Sequence, residues 1–166
     1  MAFSSCIKEP VDEEYTVLGM KPLYLESESF NDIYAQDAKP FERVGKIYRY
    51  GQFIYISDRG TGVHIINNVD PYNPQKVTFI NIPGNFDMLS RQDVLYADNN
   101  SDLITLDISN LHNISVVDRI NDVYPNNGFF DYPQFYNGPF ECVDPDKGLV
   151  YDWEEAYITN PKCQRQ

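Results

Sequence analysis

Four carboxylates near the C-terminus have the spacing of a calcium-binding loop. Asp144, Asp146, Asp152 and Glu155 occupy relative positions 1, 3, 9 and 12 of one segment, as the oxygen ligands of an EF-hand do. Position 6, where that loop needs glycine, is Leu149, and no helical pattern flanks the segment. The alternative is a turn between two strands, because Asp, Pro and Gly favour turns for backbone reasons. The sequence favours the turn, and calcium is the one cofactor that it suggests.

Two other aspartates, Asp58 and Asp98, stand at equivalent positions where two predicted strands end. One hypothesis is that they converge to bind a cation. The other is that each accepts hydrogen bonds from backbone amides of the following turn, which explains their recurrence without a ligand.

The sequence contains no recognisable catalytic set. The two histidines, His64 and His112, are not equivalent in the repeat described below, and they do not suggest a zinc site or a general base. His64 lies in a Val-His-Ile-Ile strand pattern, which predicts that its side chain points outward. A serine-nucleophile elbow is missing, and the glycine-rich segment 59–62 is too short to cradle a phosphate. We therefore expect binding rather than catalysis.

One stretch, residues 124–140, has the composition of a recognition loop. Tyr, Phe and Asn dominate it, and these residues combine a large contact area with adaptable hydrogen bonding. The binding candidates are Tyr132, Phe135 and Tyr136, and the expected partner is a protein or a glycan. The alternative is that the aromatic rings fold back and plug one end of the β-structure.

Composition and charge exclude several classes of partner. The 166 residues carry a formal net charge of −12, whereas nucleic acids and anionic membrane surfaces need a cationic footprint. The sequence has no apolar run of the length that a membrane-spanning helix requires. Of the three cysteines, Cys142 and Cys163 enclose a short C-terminal segment and are expected to pair in an oxidising compartment; two reduced thiols are the alternative.

The elements that position these residues come from an internal repeat. Residues 52–80 align without a gap on residues 92–120, at an offset of 40 residues. Four short strand patterns in each copy match the size of a propeller blade. The fold class is therefore all-β, with blades at about 45–83 and 84–121, a C-terminal segment at 122–166 and a flexible leader at 1–20. Residues 21–166 are expected to form one domain.

The first copy resembles the LVIVD repeat of bacterial surface proteins. Residues 55–74 contain a glycine-rich turn, the strand Val63–Asn67 and a turn with Pro71 and Pro74, although both prolines are replaced in the second copy. The chain as a whole is similar to the N-terminal portion of Bacteroidetes LVIVD-repeat lipoproteins. Residues 3–6 look like the end of a lipobox, which implies lipidation of Cys6 and an apolar stretch before it. The implied location is the outer membrane, cell surface or periplasm.

The chain has fewer blade patterns than a closed propeller needs, because closed propellers have about 4–8 blades. The chain has two clear copies and a third candidate at Pro139–Thr159. We expect an incomplete propeller-like stack capped by its aromatic ends; the alternatives are closure by self-association and a fragment of a longer propeller. The expected function is a non-catalytic, surface-anchored binding module. Two other functions compete with it, a calcium-dependent propeller hydrolase and a fragment without a function of its own.

Overall fold

A computed structural model describes residues 14–124 and 131–164 of the chain. Within these ranges the fold is all-β, and the helices are two short 3₁₀ segments, Ser27–Asn31 and Pro145–Lys147. The strands in chain order are β1 (Thr16–Leu25), β2 (Tyr34–Gln36), β3 (Val44–Tyr50), β4 (Phe53–Asp58), β5 (Gly62–Asn67), β6 (Gln75–Asn81), β7 (Met88–Arg91), β8 (Val94–Asn99), β9 (Asp102–Asp107), β10 (Ser115–Ile120), β11 (Pro139–Phe140), β12 (Leu149–Thr159) and β13 (Cys163–Gln164).

The repeat seen in the sequence forms two neighbouring antiparallel sheets. The first blade has the strand order β2-β6-β5-β4-β3, and the second has the order β10-β9-β8-β7. Strands β5 and β9 are offset by 40 residues at both ends. The first blade has five strands rather than four, because β2 adds to its outer edge by pairing with β6.

The turn that closes each repeat keeps its geometry although its prolines are not kept. In the first blade, the backbone amide of Asn73 donates to the carbonyl of Asp70 at 3.0 Å, and in the second Asn113 donates to Asn110 at 3.0 Å. The side chains of Asp70 and Asn110 each accept a bond from the amide two residues later. Such Asx turns hold the chain without help from proline, so Leu111 is tolerated where the first copy has proline.

A third sheet joins segments from both sides of the repeats. Its order is β12-β1-β11-β13, with β1 antiparallel to β12 and parallel to β11. The third candidate blade, Pro139–Thr159, thus supplies β11 and β12 of this sheet, and β1 and β13 complete it. The predicted leader is too long: β1 begins at Thr16, and its pairing with β12 extends from Thr16 to Leu25. The rest of that leader, residues 1–13 with Cys6, lies outside the described residues.

Strand β1 can lie between its neighbours because it carries a buried glycine. A Cβ on Gly19 would clash with the side chain of Ile158 on β12 and with the carbonyl oxygen of Pro139 on β11. The backbone amide of Glu141 also donates to the carbonyl of Met20 at 2.9 Å. These contacts fix the position of β1 between β11 and β12.

The main apolar core lies between the two blades. Strand β5 is buried on both faces up to Ile66, and its side chains join one cluster with residues from both repeats: Tyr55, Val63, Ile65, Ile80, Ile82, Met88, Leu95, Ala97, Ile104, Leu106 and Ile108. Burial of side chains of this size contributes about 1.5–3 kcal/mol each. A repeat that cannot cover its own apolar face is stabilised in this way by its neighbour.

The predicted disulfide is present. Cys142 and Cys163 are bonded, with their Cα atoms 5.2 Å apart, and the bond lies beside the pairing of β11 with β13. The three sheets form a propeller-like arrangement that is not closed.

Candidate functional site

A cleft of about 650 Å³ lies where the three sheets meet. Its wall on the side of the first blade consists of Gly45 and Lys46 from β3 and Arg59 from the turn after β4. Phe86, just before β7, belongs to the second blade, and Met20 of β1 belongs to the third sheet. The volume is in the range of ordinary small-molecule pockets.

The other wall of the cleft comes from β12 and from the aromatic loop. Asp152 and Trp153 are on β12, and Pro133, Gln134 and Phe135 precede β11. Sequence reasoning missed Phe86 and Trp153 because they lie outside the aromatic loop. The one available signal was that Trp153 is the single tryptophan of the chain.

The third sheet contacts the first blade at the edge of this cleft. Gly60 has a φ of +76°, and a Cβ there would clash with the ring of Tyr151, so the site requires glycine for both reasons. Beside it, Nη1 of Arg43 lies 2.8 Å from Oδ2 of Asp152. The Nη2 of Arg43 lies 3.8 Å from the Glu154 carboxylate. These contacts set the position of the β12 wall.

Phe135 projects from the aromatic loop into solvent. Its side chain is fully exposed, at 100%, and its φ is +59°. All five non-glycine residues with positive φ in the described ranges lie at turns or bends, and the other four are Gln, Asn or Asp. A left-handed conformation is uncommon for a bulky side chain, and such strain is found more often at functional sites than elsewhere.

The other two predicted binding residues of the loop are partly covered. Tyr132 and Tyr136 are half-buried, and the ring of Tyr136 lies over Gly138, where a Cβ would clash with it. Pro133 between them is buried. In its described part, residues 124 and 131–140, the loop thus combines both hypotheses from the sequence: two rings pack against the protein, and Phe135 is fully exposed. Residues 125–130 of the predicted loop lie outside the described residues.

The carboxylates proposed for calcium do not come together. Asp144 accepts a bond from the amide of Asp146 at 3.1 Å at the start of a 3₁₀ helix, while Asp152 pairs with Arg43. In residues 14–124 and 131–164 no group of three or more His, Cys, Asp or Glu is placed to hold a metal ion. The segment is a turn, although not a hairpin, because β1 lies between β11 and β12.

Asp58 and Asp98 hold equivalent connections in the two blades. Asp58 accepts the backbone amides of Glu42 and Arg43, at 3.3 and 2.6 Å. Asp98 accepts those of Phe86 and Asp87, at 2.7 and 2.9 Å. The hydrogen-bonding hypothesis is therefore right about backbone amides. The donors, however, lie just before β3 in the first blade and just before β7 in the second, and they do not belong to the following turn.

The pKa values of the two aspartates are shifted in opposite directions from the ordinary value. Burial raises the pKa of Asp98 to about 6, and the nearby Asp87 carboxylate adds to the rise. Hydrogen bonds from the amides of Asp87 and Phe86 act in the opposite direction but are outweighed. Burial also acts to raise the pKa of Asp58, but the amide of Arg43 and the ring of His64 hold that pKa below its ordinary value. Asp58 is therefore a stable carboxylate at neutral pH.

His64 is buried, which corrects the prediction that it points outward. It is 1% exposed, and its ring lies between Phe41 and Phe79, at centroid distances of 4.6 and 4.7 Å. Nε2 is 3.1 Å from Oδ2 of Asp58. Both faces of β5 are covered, so the alternation of side chains along the strand predicted an exposed His64 side chain that is in fact buried. Burial lowers the pKa of His64 against the opposing effect of Asp58, so the ring is neutral.

The His64–Asp58 pair lies apart from the cleft. Neither residue lines the cleft. A hydrolase would need carboxylates and a histidine together in one concave site. Of the predicted metal ligands, only Asp152 is at the cleft, where it is paired with Arg43.

No protein-family model, curated protein or solved structure matches the chain. Among the described residues, no helix is both long enough and apolar enough to cross a membrane.

Proposed function

We propose that the chain is a non-catalytic binding module of the LVIVD-repeat type that takes a glycan in the cleft beside the aromatic loop. The observation that carries this proposal is Phe135, a fully exposed ring in a left-handed conformation at the rim of a cleft of about 650 Å³. An exposed apolar ring held in an unfavourable backbone conformation has no evident role in stability. It is well suited to contact a ligand.

The shape of the site supports a glycan over a protein partner. The cleft is concave and its volume is that of a small-molecule site, which suits a short glycan. Phe86 and Trp153 offer aromatic surface, and Lys46, Arg59 and Gln134 supply polar groups near it. This combination of apolar faces and polar edges suits the alternating C–H and hydroxyl surfaces of a sugar.

The proposed location is a bacterial cell surface, with a lipid on Cys6 as the anchor. It rests on residues 3–6 and on the acidic segment that follows them. Expression of the native gene with a labelled fatty acid should label the protein, and Cys6→Ser should abolish the label. An unlabelled native protein would contradict the anchor and leave the binding proposal intact.

A glycan array probed with the full chain tests the binding function. We expect selective binding that is lost in the Tyr132→Ala/Phe135→Ala/Tyr136→Ala variant, provided that circular dichroism and the urea midpoint show that the variant is folded. If the variant is unfolded, Phe135→Ala alone replaces it, because that ring makes no packing contribution. Absence of any bound glycan, or capture of a protein ligand through the same loop, would overturn the glycan proposal.

A further inference from the structure

Cationic side chains gather at the cleft of a strongly acidic protein. Lys46 and Arg59 line the cleft, and Arg43 stands behind Asp152 at its edge. The chain as a whole carries 25 Asp and Glu against 13 Lys and Arg. Such a composition alone predicts an acidic surface. The presence of three positively charged side chains at one cleft therefore calls for an explanation in that part of the structure.

Two of the three cations already have carboxylate partners. Lys46 is paired with Asp87, and Arg43 with Asp152. Arg59 pairs with no carboxylate of the described residues. Its guanidinium is therefore the positive charge at the cleft that remains available to a ligand.

The backbone of Arg59 is hydrogen-bonded, and its exposed side chain lies beside the neighbouring strand. Its amide donates to the carbonyl of Arg43 at 2.9 Å, and its side chain passes over Gly45 of β3. A Cβ on Gly45 would lie 3.2 Å from Cγ of Arg59 and 3.7 Å from its Nε. The atom nearest to that Cβ would be Oγ of Ser57, at 2.5 Å, so the glycine leaves room first for Ser57 and then for the arginine beside it.

We propose that the glycan bound in the cleft is acidic, and that Arg59 binds a carboxylate of one of its sugar units. A guanidinium presents parallel N–H donors that match the two oxygens of a carboxylate. Phe135 and Trp153 would contact the sugar faces, while Arg59 selects the charged group. This inference rests on the proposed glycan-binding function and specifies the class of glycan.

The test compares each acidic sugar with a neutral copy of itself. Trisaccharides of galacturonate, glucuronate and mannuronate, each with its carboxyl-reduced form, are titrated against the protein by calorimetry. We expect at least one uronate to bind about tenfold or more tightly than its reduced form. Arg59→Gln should remove this preference, so that the uronate and its reduced form bind the variant equally. The control is Arg49→Gln, which makes the same charge change on an exposed residue of β3 outside the cleft.

Each outcome decides between the two proposals. Equal binding of acidic and neutral forms, or an unchanged preference in Arg59→Gln, would overturn the acidic-ligand inference. If no uronate binds while the array yields a neutral glycan that needs Phe135, the inference is wrong and the proposed function stands. If no glycan binds in either experiment, both are wrong.

Discussion

The Nε2 atom of His64 lies 3.1 Å from Oδ2 of Asp58, and both side chains are 1% exposed. The pair lies beneath the segment that leads into β3, whose amides Asp58 also binds. The Asp58–His64 pair thus ties two neighbouring strands of the first blade to the chain segment at its entry. The second blade has Ile104 at the position equivalent to His64, so its Asp98 is bonded to backbone amides and to Asn85 instead.

The neutral state of His64 predicts a pH dependence of stability. Because burial lowers its pKa in the fold, the unfolded chain binds a proton at a higher pH than the folded chain. The contribution of His64 is present above its unfolded pKa of about 6.5 and decreases as the pH falls below it. His64→Phe keeps a ring between Phe41 and Phe79 but cannot titrate.

Urea unfolding of the native protein and of His64→Phe at a series of pH values measures this effect. We expect the variant to be less stable by about 1–3 kcal/mol at pH 7.5, because Asp58 loses a hydrogen-bond partner. The difference between the two proteins should shrink towards pH 5.5. A difference that stays constant with pH would show that the fold does not hold His64 neutral.

We expect the same substitution, Asp to Asn, to change the stability of the protein in opposite directions at the two equivalent aspartates. Asp98 has its pKa raised to about 6 in the fold, so its contribution to stability falls as the pH rises from about 4 to 6. At pH 7, Asp98→Asn removes a partly buried charge and should stabilise the protein by about 1–3 kcal/mol. Asp58→Asn removes a well-bonded carboxylate and should destabilise it by about 1–3 kcal/mol. Urea midpoints that shift in the same direction would contradict this account.

Local sequence patterns predicted most of the fold. The strands of the two repeats follow from apolar alternation and from turns such as the one at Asp70, and the disulfide follows from the spacing of Cys142 and Cys163. The third sheet did not follow, because the pairing of β1 with β12 joins residues more than 120 positions apart, and no local pattern encodes such a pairing. The burial of His64 was missed for a related reason, since its cover comes from the distant Phe41.

The same limit applies to the candidate site. Phe135 could be proposed from the composition of its loop. Arg59, Phe86 and Trp153 could not be grouped with it, because each comes from a different sheet or turn and the cleft exists only after the sheets assemble.

The disulfide predicts a measurable loss when it is removed. Cys142 and Cys163 are 21 residues apart, and a crosslink that closes a loop of this size stabilises by about 3 kcal/mol through the unfolded state. The double variant Cys142→Ser/Cys163→Ser should lose about that amount in urea unfolding. Alkylation followed by non-reducing mass spectrometry of protein made in the periplasm should find both thiols blocked. Free thiols, or a variant of unchanged stability, would contradict the prediction.

The contact of the third sheet with the first blade can be tested at one glycine. Gly60 and Gly51 both have positive φ, +76° and +59°. A Cβ on Gly51 would point into open space, whereas a Cβ on Gly60 would meet the Tyr151 ring. Gly51→Ala should cost about 1 kcal/mol for the backbone alone. Gly60→Ala should cost at least about 1 kcal/mol more, since overpacking adds to the strain. Equal losses in thermal or urea unfolding would show that Tyr151 does not pack there.

In the proposed function Phe135 binds the ligand of the cleft, and one pair of variants measures its contribution. Tyr72 is a matched control, because its ring is 98% exposed but lies in a turn of the first blade. The measurement is the affinity, by calorimetry, for the glycan that the array selects. Burial of one such ring contributes about 1.5–3 kcal/mol, so Phe135→Ala should weaken binding about tenfold or more at an unchanged urea midpoint, and Tyr72→Ala should bind as the native protein does. Native affinity in a folded Phe135→Ala variant would contradict the claim.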